Sequence, residues 1–398
     1  MALRILYLHS AGAFGGAAKS LVELFQQLAN QGVSGVVLTP RGSAQQAFQN
    51  AGLQVRSVRG LSQFDNTRYS HYRGVRWLVL LRELFLLPFS LLALWRLRRE
   101  PFDLIHANEI TLLPLAIIAK RLLRVPLVIH ARSVQRQPEE GWRTRWVNGL
   151  LRQHADGVVA IDHTVAATLA ADIPVQIVHN GFRMPEQPCL RQSGGSVVTV
   201  GFLGVLIPLK GIYELLEAMR LLKLRGVDIR LLVAGENARK LSGLRAWLLD
   251  RFGFARDVKK DLEALVQRDG LGRHVELLGF VRDVRTLYPQ LDILCFPSHL
   301  DAAGRPVFEA AFYGIPSVVA IRHPERDAVL HEVTGLAIPG PTPELIADAL
   351  QRLAEDAELR ARMGSEARVW AEQTFAIEAN ATRILELYRA ILLCKKHP

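Results

Sequence analysis

Two acidic residues at a defined spacing, Asp301 and Glu309, are the strongest sign of chemistry in this chain, with seven residues between them. The segment before them, 291–297, is apolar and ends in turn-forming residues, which predicts a buried strand. The segment after them, 315–320, predicts the next strand. This parallel unit places both carboxylates at the carboxyl edge of a sheet, where ligands of open α/β proteins bind.

The residues between these strands favour a helix that begins near the ligand edge. Pro306 suits the first helical position and Gly314 suits a helix end. Such a helix start presents free backbone N–H groups to an anion. The helix dipole favours Glu309 there even without a function, and Asp301 is also a common type of turn residue. From the residues alone, both interpretations of each acid stay open.

A lysine at a second strand-to-helix junction predicts a phosphate contact. The loop GVLIPLKG, Gly204–Gly211, follows the apolar run Val197–Leu203 and precedes a helical pattern, Tyr213–Leu224. Lys210 in this loop would meet a phosphate as a compact point charge. An exposed lysine at a helix start is the alternative.

A third junction lies near the beginning of the chain, where HSAGAFGG precedes a helical run, 17–30. Its glycines do not fit the G-x-G-x-x-G pattern, which argues against a dinucleotide site. Gly15 and Gly16 permit close approach of the backbone to a ligand at a helix start, although a tight turn would explain them equally.

A histidine and an arginine end another predicted strand, 125–131. His130 and Arg132 are two positions apart, so an extended chain places them on one face. A buried structural histidine is the alternative for His130, and it is the preferred interpretation for His106. Asn180 is explained by a turn.

These motifs resemble those of the retaining GT-B glycosyltransferases, in particular the group often called family 4. The family pattern is Glu, seven residues, Glu, a run of small residues, and Gly-x-Pro. Residues of this chain in register with it are Gly304, Glu309, Ala310, Gly314 and Pro316. A second family motif has Gly-Arg, then a Lys and a Gly, and Lys210 and Gly211 match its second half.

Two positions depart from the family. Asp301 stands where the family usually has its first Glu, which shortens the reach by one methylene group. Val205 stands where the family has the Arg that shares the diphosphate with the Lys, so a bidentate donor is missing. Arg305 and Arg183 are candidate substitutes.

The resemblance implies an α/β GT-B fold of two Rossmann-like doubly wound domains facing each other across a cleft. It implies transfer of a sugar from a nucleotide-sugar to an acceptor hydroxyl, with retention and without a metal or other cofactor. Lys210 would stabilise the leaving diphosphate and Glu309 would hold the ribose, while Asp301 with His130 would position the sugar. The remaining donor-side residues are Gly15, Gly16, Gly204, Gly304 and Arg305, and Arg132 joins His130 on the acceptor side.

Apolar runs alternate with helical patterns almost throughout, as in doubly wound α/β proteins. The Pro-, Gly- and polar-rich stretch MPEQPCLRQSGGS predicts an exposed linker. We therefore expect an acceptor-side domain at 1–188, a linker at 189–196 and a nucleotide-sugar domain at 197–375. By analogy with GT-B proteins, the final helix, 376–398, would pack back on the first domain.

Composition excludes several classes of protein. The hydrophobic content is 49% and the charged content 22%, as in globular proteins. Three cysteines at distant positions imply no disulfide framework or zinc site, and MALRILYLHS lacks the features of a signal peptide, so a cytoplasmic location is expected. The net charge of +11 favours anionic partners or a solvated basic surface, and the absence of nucleic-acid motifs argues against DNA or RNA.

One segment, Trp77–Leu97, is very apolar but contains Arg82, Glu83 and Pro88 and is flanked by arginines. It predicts either an anchor on the inner face of an anionic membrane or a buried helix with a basic end. An anchor would suit a glycan or lipid-linked acceptor in cell-envelope polysaccharide or glycolipid synthesis. A non-catalytic GT-B binding protein and a nucleotide-sugar epimerase remain alternative functions.

Overall fold

The computed structural model describes residues 3–68, 77–136, 141–183, 197–237, 257–300, 303–322 and 327–396. Described residues up to Arg183, together with those from Phe375 onward, form one compact unit, and those between form a second. The predicted boundaries at 188 and 196 fall outside the described residues, as do Cys189 and Asp301.

The first unit is built on a fully parallel sheet with the strand order β3-β2-β1-β4-β5-β6-β7. The strands are β1 (Leu3–Leu8), β2 (Val33–Pro40), β3 (Gln54–Val58), β4 (Leu104–Ala107), β5 (Leu127–Ala131), β6 (Gly157–Ala160) and β7 (Val175–Ile177). The helices are α1 (Gly16–Asn30), α2 (Ala44–Asn50), α3 (Val79–Leu97), α4 (Leu113–Leu123), α5 (Gly141–His154), α6 (His163–Ala166) and, after the second unit, a C-terminal helix (Ile377–Lys396).

Both faces of this sheet are covered, because alternate residues of each strand point to opposite sides. In β1, Leu6 and Leu8 pack into a core with α4, whereas Ile5 and Tyr7 pack into a second core with α1 and the C-terminal helix. Two-sided burial explains why the strands are almost continuously apolar.

The second unit repeats this design with the strand order β10-β9-β8-β11-β12-β13, again all parallel. The strands are β8 (Val198–Leu203), β9 (Ile229–Ala234), β10 (Val275–Gly279), β11 (Ile293–Phe296), β12 (Ser317–Ala320) and β13 (Gly335–Ile338). The helices are α7 (Ile212–Leu224), α8 (Val258–Arg268), α9 (Arg305–Phe312), α10 (Pro343–Glu355) and α11 (Ala357–Thr374), so the C-terminal helix is α12. The predicted α/β architecture of two doubly wound parallel sheets is confirmed.

Helix α3 runs through Pro88 without a break, and the apolar segment is partly buried and partly exposed. Glu83, Ser90 and Leu94 are buried. A second set of side chains on the same segment is exposed: Leu78, Leu81, Leu84, Phe85, Leu91, Leu92 and Trp95. Among the described residues, none of the helices combines the length and apolar character needed to cross a membrane.

Candidate active site

Glu309 lies on α9, whose N-terminus is positioned by a close contact with β11. Gly304 caps the helix, and a Cβ atom there would come within 2.4 Å of the Phe296 ring. Only glycine therefore lets the helix start approach the strand end so closely. Pro306 lies in the first turn, as its fixed φ favours.

The described side chains of Tyr288 and Arg305 both contact the Glu309 carboxylate. The Tyr288 hydroxyl donates to Oε2 over 2.7 Å, and the Arg305 guanidinium approaches Oε1 at 3.3 Å from the preceding helical turn. Burial, and the nearby Glu309 charge, raise the pKa of Tyr288 well above its ordinary value, so the phenol stays protonated and donates. Tyr288 was not predicted as a site residue, although a tyrosine in an apolar segment needs a partner for its hydroxyl.

Lys210 lies at the end of a short 3-10 turn, Pro208–Lys210, that follows β8. The next residue, Gly211, has φ 75°, and a Cβ there would lie 1.7 Å from the Pro297 carbonyl oxygen. The Lys210 Nζ lies 4.9 Å from the centroid of the Phe296 ring. Since Gly304 contacts the same ring, the structure brings the lysine and the start of α9 together around Phe296.

The electrostatics of this half-site favour an anion. Burial lowers the pKa of Lys210 from its ordinary value, because the ammonium has lost part of its hydration. A negatively charged ligand would compensate that loss. Val205, which replaces the family arginine, is exposed, and the candidate substitutes are engaged elsewhere: Arg305 pairs with Glu309 and Arg183 donates to Gln26 in the first unit.

In the second unit, the backbones of Gly204 and Gly235 also approach each other closely. A Cβ on Gly235 would come within 1.9 Å of the Gly204 carbonyl oxygen. The Gly204 N–H donates to the carbonyl of Ala234 over 2.9 Å, which ties the loop to the end of β9. Gly204 thus has a structural role in shaping the loop that carries Lys210.

In the first unit, Gly15 caps α1 and Gly16 is its first residue. A Cβ on Gly15 would meet nothing within 4 Å, so its surroundings are open. No side chain caps this helix start. Both predicted glycines therefore lie where backbone N–H groups are available.

His130 and Arg132 belong to a buried polar cluster on one face of the first sheet. Arg132 donates to Asn108 Oδ1 over 2.9 Å and to Asn180 Oδ1 over 2.6 Å, and it lies 3.2 Å from His130 Nδ1. His130 Nδ1 is also 3.2 Å from His106 Nε2, so the structure unites all the polar residues predicted at these strand ends. It adds His9 and Asn108, which the sequence analysis did not single out as site residues.

A cavity of about 330 Å³ opens in the first unit between the ends of β1 and β4 and the start of α3. Its lining is mainly polar: Ser10, Gln63, Asp65, Thr67, Val79, Arg82, Glu83, Glu109 and Thr111. Glu83 accepts hydrogen bonds from Arg82 and from the backbone of Gln63, which explains a carboxylate buried on an apolar helix. Burial raises the pKa of Glu109, whose carboxylate accepts from Ser133.

Two protein families match successive parts of the chain. Residues 15–181 match the glycosyl transferase 4-like domain, and residues 193–370 match glycosyl transferases group 1. Together these matches cover most of both units.

Curated relatives cover smaller parts. A D-inositol 3-phosphate glycosyltransferase of Corynebacterium urealyticum is 30% identical over 49% of this chain and 44% of its own. The capsular polysaccharide biosynthesis glycosyltransferase CapM of Staphylococcus aureus is 23% identical over 48% of this chain and 46% of its own. The chain thus spans about half the length of these two relatives.

Solved structures are similar over almost the full length. Alr3699/HepE of Anabaena in complex with UDP has a TM-score of 0.74 at 22% identity, with 98% of this chain and 100% of that chain covered. Sucrose-phosphate synthase of Thermosynechococcus elongatus has a TM-score of 0.74 at 18% identity, with the same coverage. At these identities the likeness establishes the fold.

Proposed function

We propose that this chain, which belongs to the glycosyltransferases of the group 1 and 4-like families and has the GT-B fold, transfers a sugar from a nucleotide-sugar to an acceptor hydroxyl. The observation that carries the proposal is the grouping of Lys210, Glu309 and the start of α9 at one edge of the second sheet. A cation, a carboxylate and free N–H groups are the chemistry that a nucleoside diphosphate requires.

Lys210 would stabilise the diphosphate as it leaves. Charge develops on the leaving phosphate in the transition state, and a preorganised cation in a partly dehydrated site acts on it strongly. The Phe296 ring beneath Nζ limits where the ammonium can go. Backbone N–H groups at Gly304 and Arg305 would also bind the phosphate. They would replace the guanidinium of the family arginine, whose position is occupied here by Val205.

Glu309 would accept hydrogen bonds from the ribose hydroxyls, with Tyr288 and Arg305 fixing the carboxylate. His130, in the first unit, would contact a sugar. Asp301, which lies outside the described residues, is also proposed to contact a sugar. Gly15 and Gly16 would approach the substrate through their backbone. Support for these roles comes from the family resemblance and, for Glu309 and His130, from the hydrogen bonds described above.

We further propose retention of the anomeric configuration without a metal ion, as the resemblance implies. The leaving phosphate would help to deprotonate the acceptor, so no enzymic nucleophile is required. NMR of the product anomer tests the stereochemistry, and activity in the presence of excess EDTA tests the metal requirement.

A panel of nucleoside diphosphates and nucleotide-sugars in a thermal-shift assay is the first experiment, because a ligand that binds the folded protein raises its melting temperature. We expect one nucleoside diphosphate to stabilise the protein and Glu309→Ala to abolish the shift. Failure of every nucleotide to shift the wild-type protein would refute the donor site. Nucleotide binding without transfer of the sugar would favour the non-catalytic alternative, and epimerised nucleotide-sugar would favour the epimerase.

We also propose that α3 contacts an anionic membrane from the cytoplasmic side, which would suit a lipid-linked or cell-envelope acceptor. The helix exposes a leucine-rich surface, and Arg98 stacks on Trp95 at 4.0 Å near its basic end. Exposed apolar side chains beside arginines are typical of interfacial helices.

Co-sedimentation with vesicles containing anionic lipid tests this contact. Replacing Arg96, Arg98 and Arg99 by Gln should reduce binding to the vesicles. The control replaces the exposed Arg273, Arg362 and Arg389 by Gln, which changes the net charge equally but elsewhere, and it should leave binding unchanged. Equal loss in both triple variants would show that net charge alone drives binding, and no binding by the wild type would refute the contact.

A further inference from the structure

Two buried histidines, His9 and His130, each have a ring nitrogen without a hydrogen-bond partner among the described residues. Their relative exposures are 1% and 3%, and each Nε2 lacks a hydrogen-bond partner in the described part of the chain. His9 directly follows β1 and His130 lies in β5, on either side of β4. What these two nitrogens offer depends on where each ring carries its proton.

The orientation of Asn108 fixes the proton of His9. The Arg132 Nε–H donates to Asn108 Oδ1, and the Asn108 amide nitrogen lies 3.3 Å from the carbonyl oxygen of Ala17. Because a guanidinium only donates and a carbonyl only accepts, the Asn108 amide cannot be flipped. Its nitrogen therefore donates to His9 Nδ1 over 3.0 Å, and a neutral His9 must carry its proton on Nε2.

The guanidinium of Arg132 also determines which ring nitrogen of His130 carries the proton. Arg132 Nη2 lies 3.2 Å from His130 Nδ1, and since it can only donate, that Nδ1 must accept. His106 Nε2 lies 3.2 Å from the same nitrogen, and His106 Nδ1 is hydrogen-bonded to the Tyr388 hydroxyl at 2.7 Å. A neutral His130 therefore also carries its proton on Nε2.

All three rings are neutral near pH 7. Burial, and the charge of Arg132, lower the pKa of His9 to about 4 and that of His106 to about 3. The same causes hold the pKa of His130 well below its ordinary value. His9 and His130 thus offer N–H donors that carry no charge.

We propose that His9 is a second sugar-binding donor beside His130, and that Arg132 is the positioning residue that locks both rings as Nε2–H tautomers. Two uncharged, dehydrated donors suit oxygen atoms that need no counter-charge, such as the hydroxyl oxygens of a sugar. This assignment of ligand rests on the proposed glycosyl transfer. The tautomers themselves do not depend on it.

The tautomers are tested on the ligand-free protein by 15N NMR with labelled histidine. We expect His9 and His130 to show a protonated Nε2 and an unprotonated Nδ1 at pH 7, with their signals assigned by loss in His9→Gln and His130→Gln. An Nδ1–H tautomer or a charged ring at either position overturns the lock, whether or not the protein transfers sugar.

Asn108→Asp tests the lock by reversing one hydrogen bond. The carboxylate still accepts from Arg132 but can no longer donate to His9, so His9 should change to the Nδ1–H tautomer while His130 keeps its Nε2–H. An unchanged His130 spectrum also reports that the cluster has stayed folded. A His9 signal that does not change contradicts the role given to Asn108.

Ligand contact is tested with matched substitutions, since a Gln amide can place an N–H near the position of histidine Nε2 and an Asn amide near Nδ1. Measured with the nucleotide-sugar that the wild type uses, kcat/KM should fall about 10- to 100-fold in His9→Asn and much less in His9→Gln. A rise in KM for the donor or for the acceptor tells which sugar is held. Equal losses in both variants overturn the contact, whereas a wild type that transfers no sugar refutes the proposed function instead.

Discussion

At the scale of single residues, Glu309 shows how a carboxylate is prepared for a ligand. Tyr288 donates to one oxygen and Arg305 approaches the other, while the Tyr288 ring stacks on Tyr313 with centroids 5.0 Å apart. These contacts restrict the carboxylate before any ligand arrives.

Tyr288→Phe should weaken nucleotide binding while leaving the protein folded. Losing a hydrogen bond to a charged group costs about 1.5–3 kcal/mol, and here the cost falls on a carboxylate that must keep its orientation. We expect the Kd for the nucleoside diphosphate to rise about tenfold, measured by calorimetry. Tyr213→Phe is the matched control, because it removes a tyrosine–carboxylate bond to Asp261 elsewhere in the same unit.

Lys210→Met should reduce kcat more than it raises KM. The substitution keeps much of the side-chain volume over Phe296 but removes the charge that would stabilise the departing diphosphate. Loss of one such electrostatic contact typically costs 10²–10³-fold in kcat. Lys260→Met, at a lysine whose side chain is 81% exposed, should leave both constants unchanged. A loss confined to KM would show that Lys210 binds substrate without acting on the transition state.

At the scale of secondary-structure elements, the sequence predicted best where burial is two-sided. β11 and β12 lie within the predicted segments 291–297 and 315–320, because central strands are continuously apolar. The edge strands β3 and β13 were missed. β3 exposes Gln54, Arg56 and Ser57, so its pattern lacks the apolar run that marks a central strand.

Contacts between residues distant in sequence were not predictable in the same way. Tyr288 is 21 positions from Glu309, and the partner of His106 is Tyr388, 282 positions later. Neither pairing leaves a periodic signal. His9 was predicted only as the first residue of the loop HSAGAFGG, because its role depends on Asn108, which directly follows the neighbouring strand β4.

Tyr388→Phe tests how α12 supports the first sheet. The hydroxyl of Tyr388 is hydrogen-bonded to the buried His106 Nδ1, and its loss leaves that nitrogen without this partner. An unsatisfied buried group costs about 1–3 kcal/mol, so the free energy of unfolding should fall by that amount in urea titrations. Arg389→Ala, at the next and exposed position of α12, should change it by less than about 0.5 kcal/mol.

At the scale of the whole molecule, the chain forms its first unit from two separated segments, and the second unit lies between them in sequence. The two units carry different chemistry. Buried neutral histidines lie in the first, whereas the lysine and carboxylate proposed to bind the nucleotide lie in the second. Their stabilities should therefore respond to different conditions.

Acid should destabilise the first unit through these histidines. His9 has a folded pKa of about 4 against 6.5 for an unfolded histidine, so below pH 6.5 the unfolded chain binds more protons. Stability is then lost as pH falls from 6.5 towards 4, by roughly 3 kcal/mol for His9 at full effect.

The measurement is the free energy of unfolding against pH for wild type and His9→Gln, with the nucleoside diphosphate as a probe of the second unit. We expect the two curves to converge with acidification and the stabilisation by nucleotide to be the same in both proteins. Parallel curves between pH 6.5 and 4 would show that His9 already binds a proton in the folded protein, which is incompatible with a ring that is buried beside Arg132 and serves as an uncharged donor.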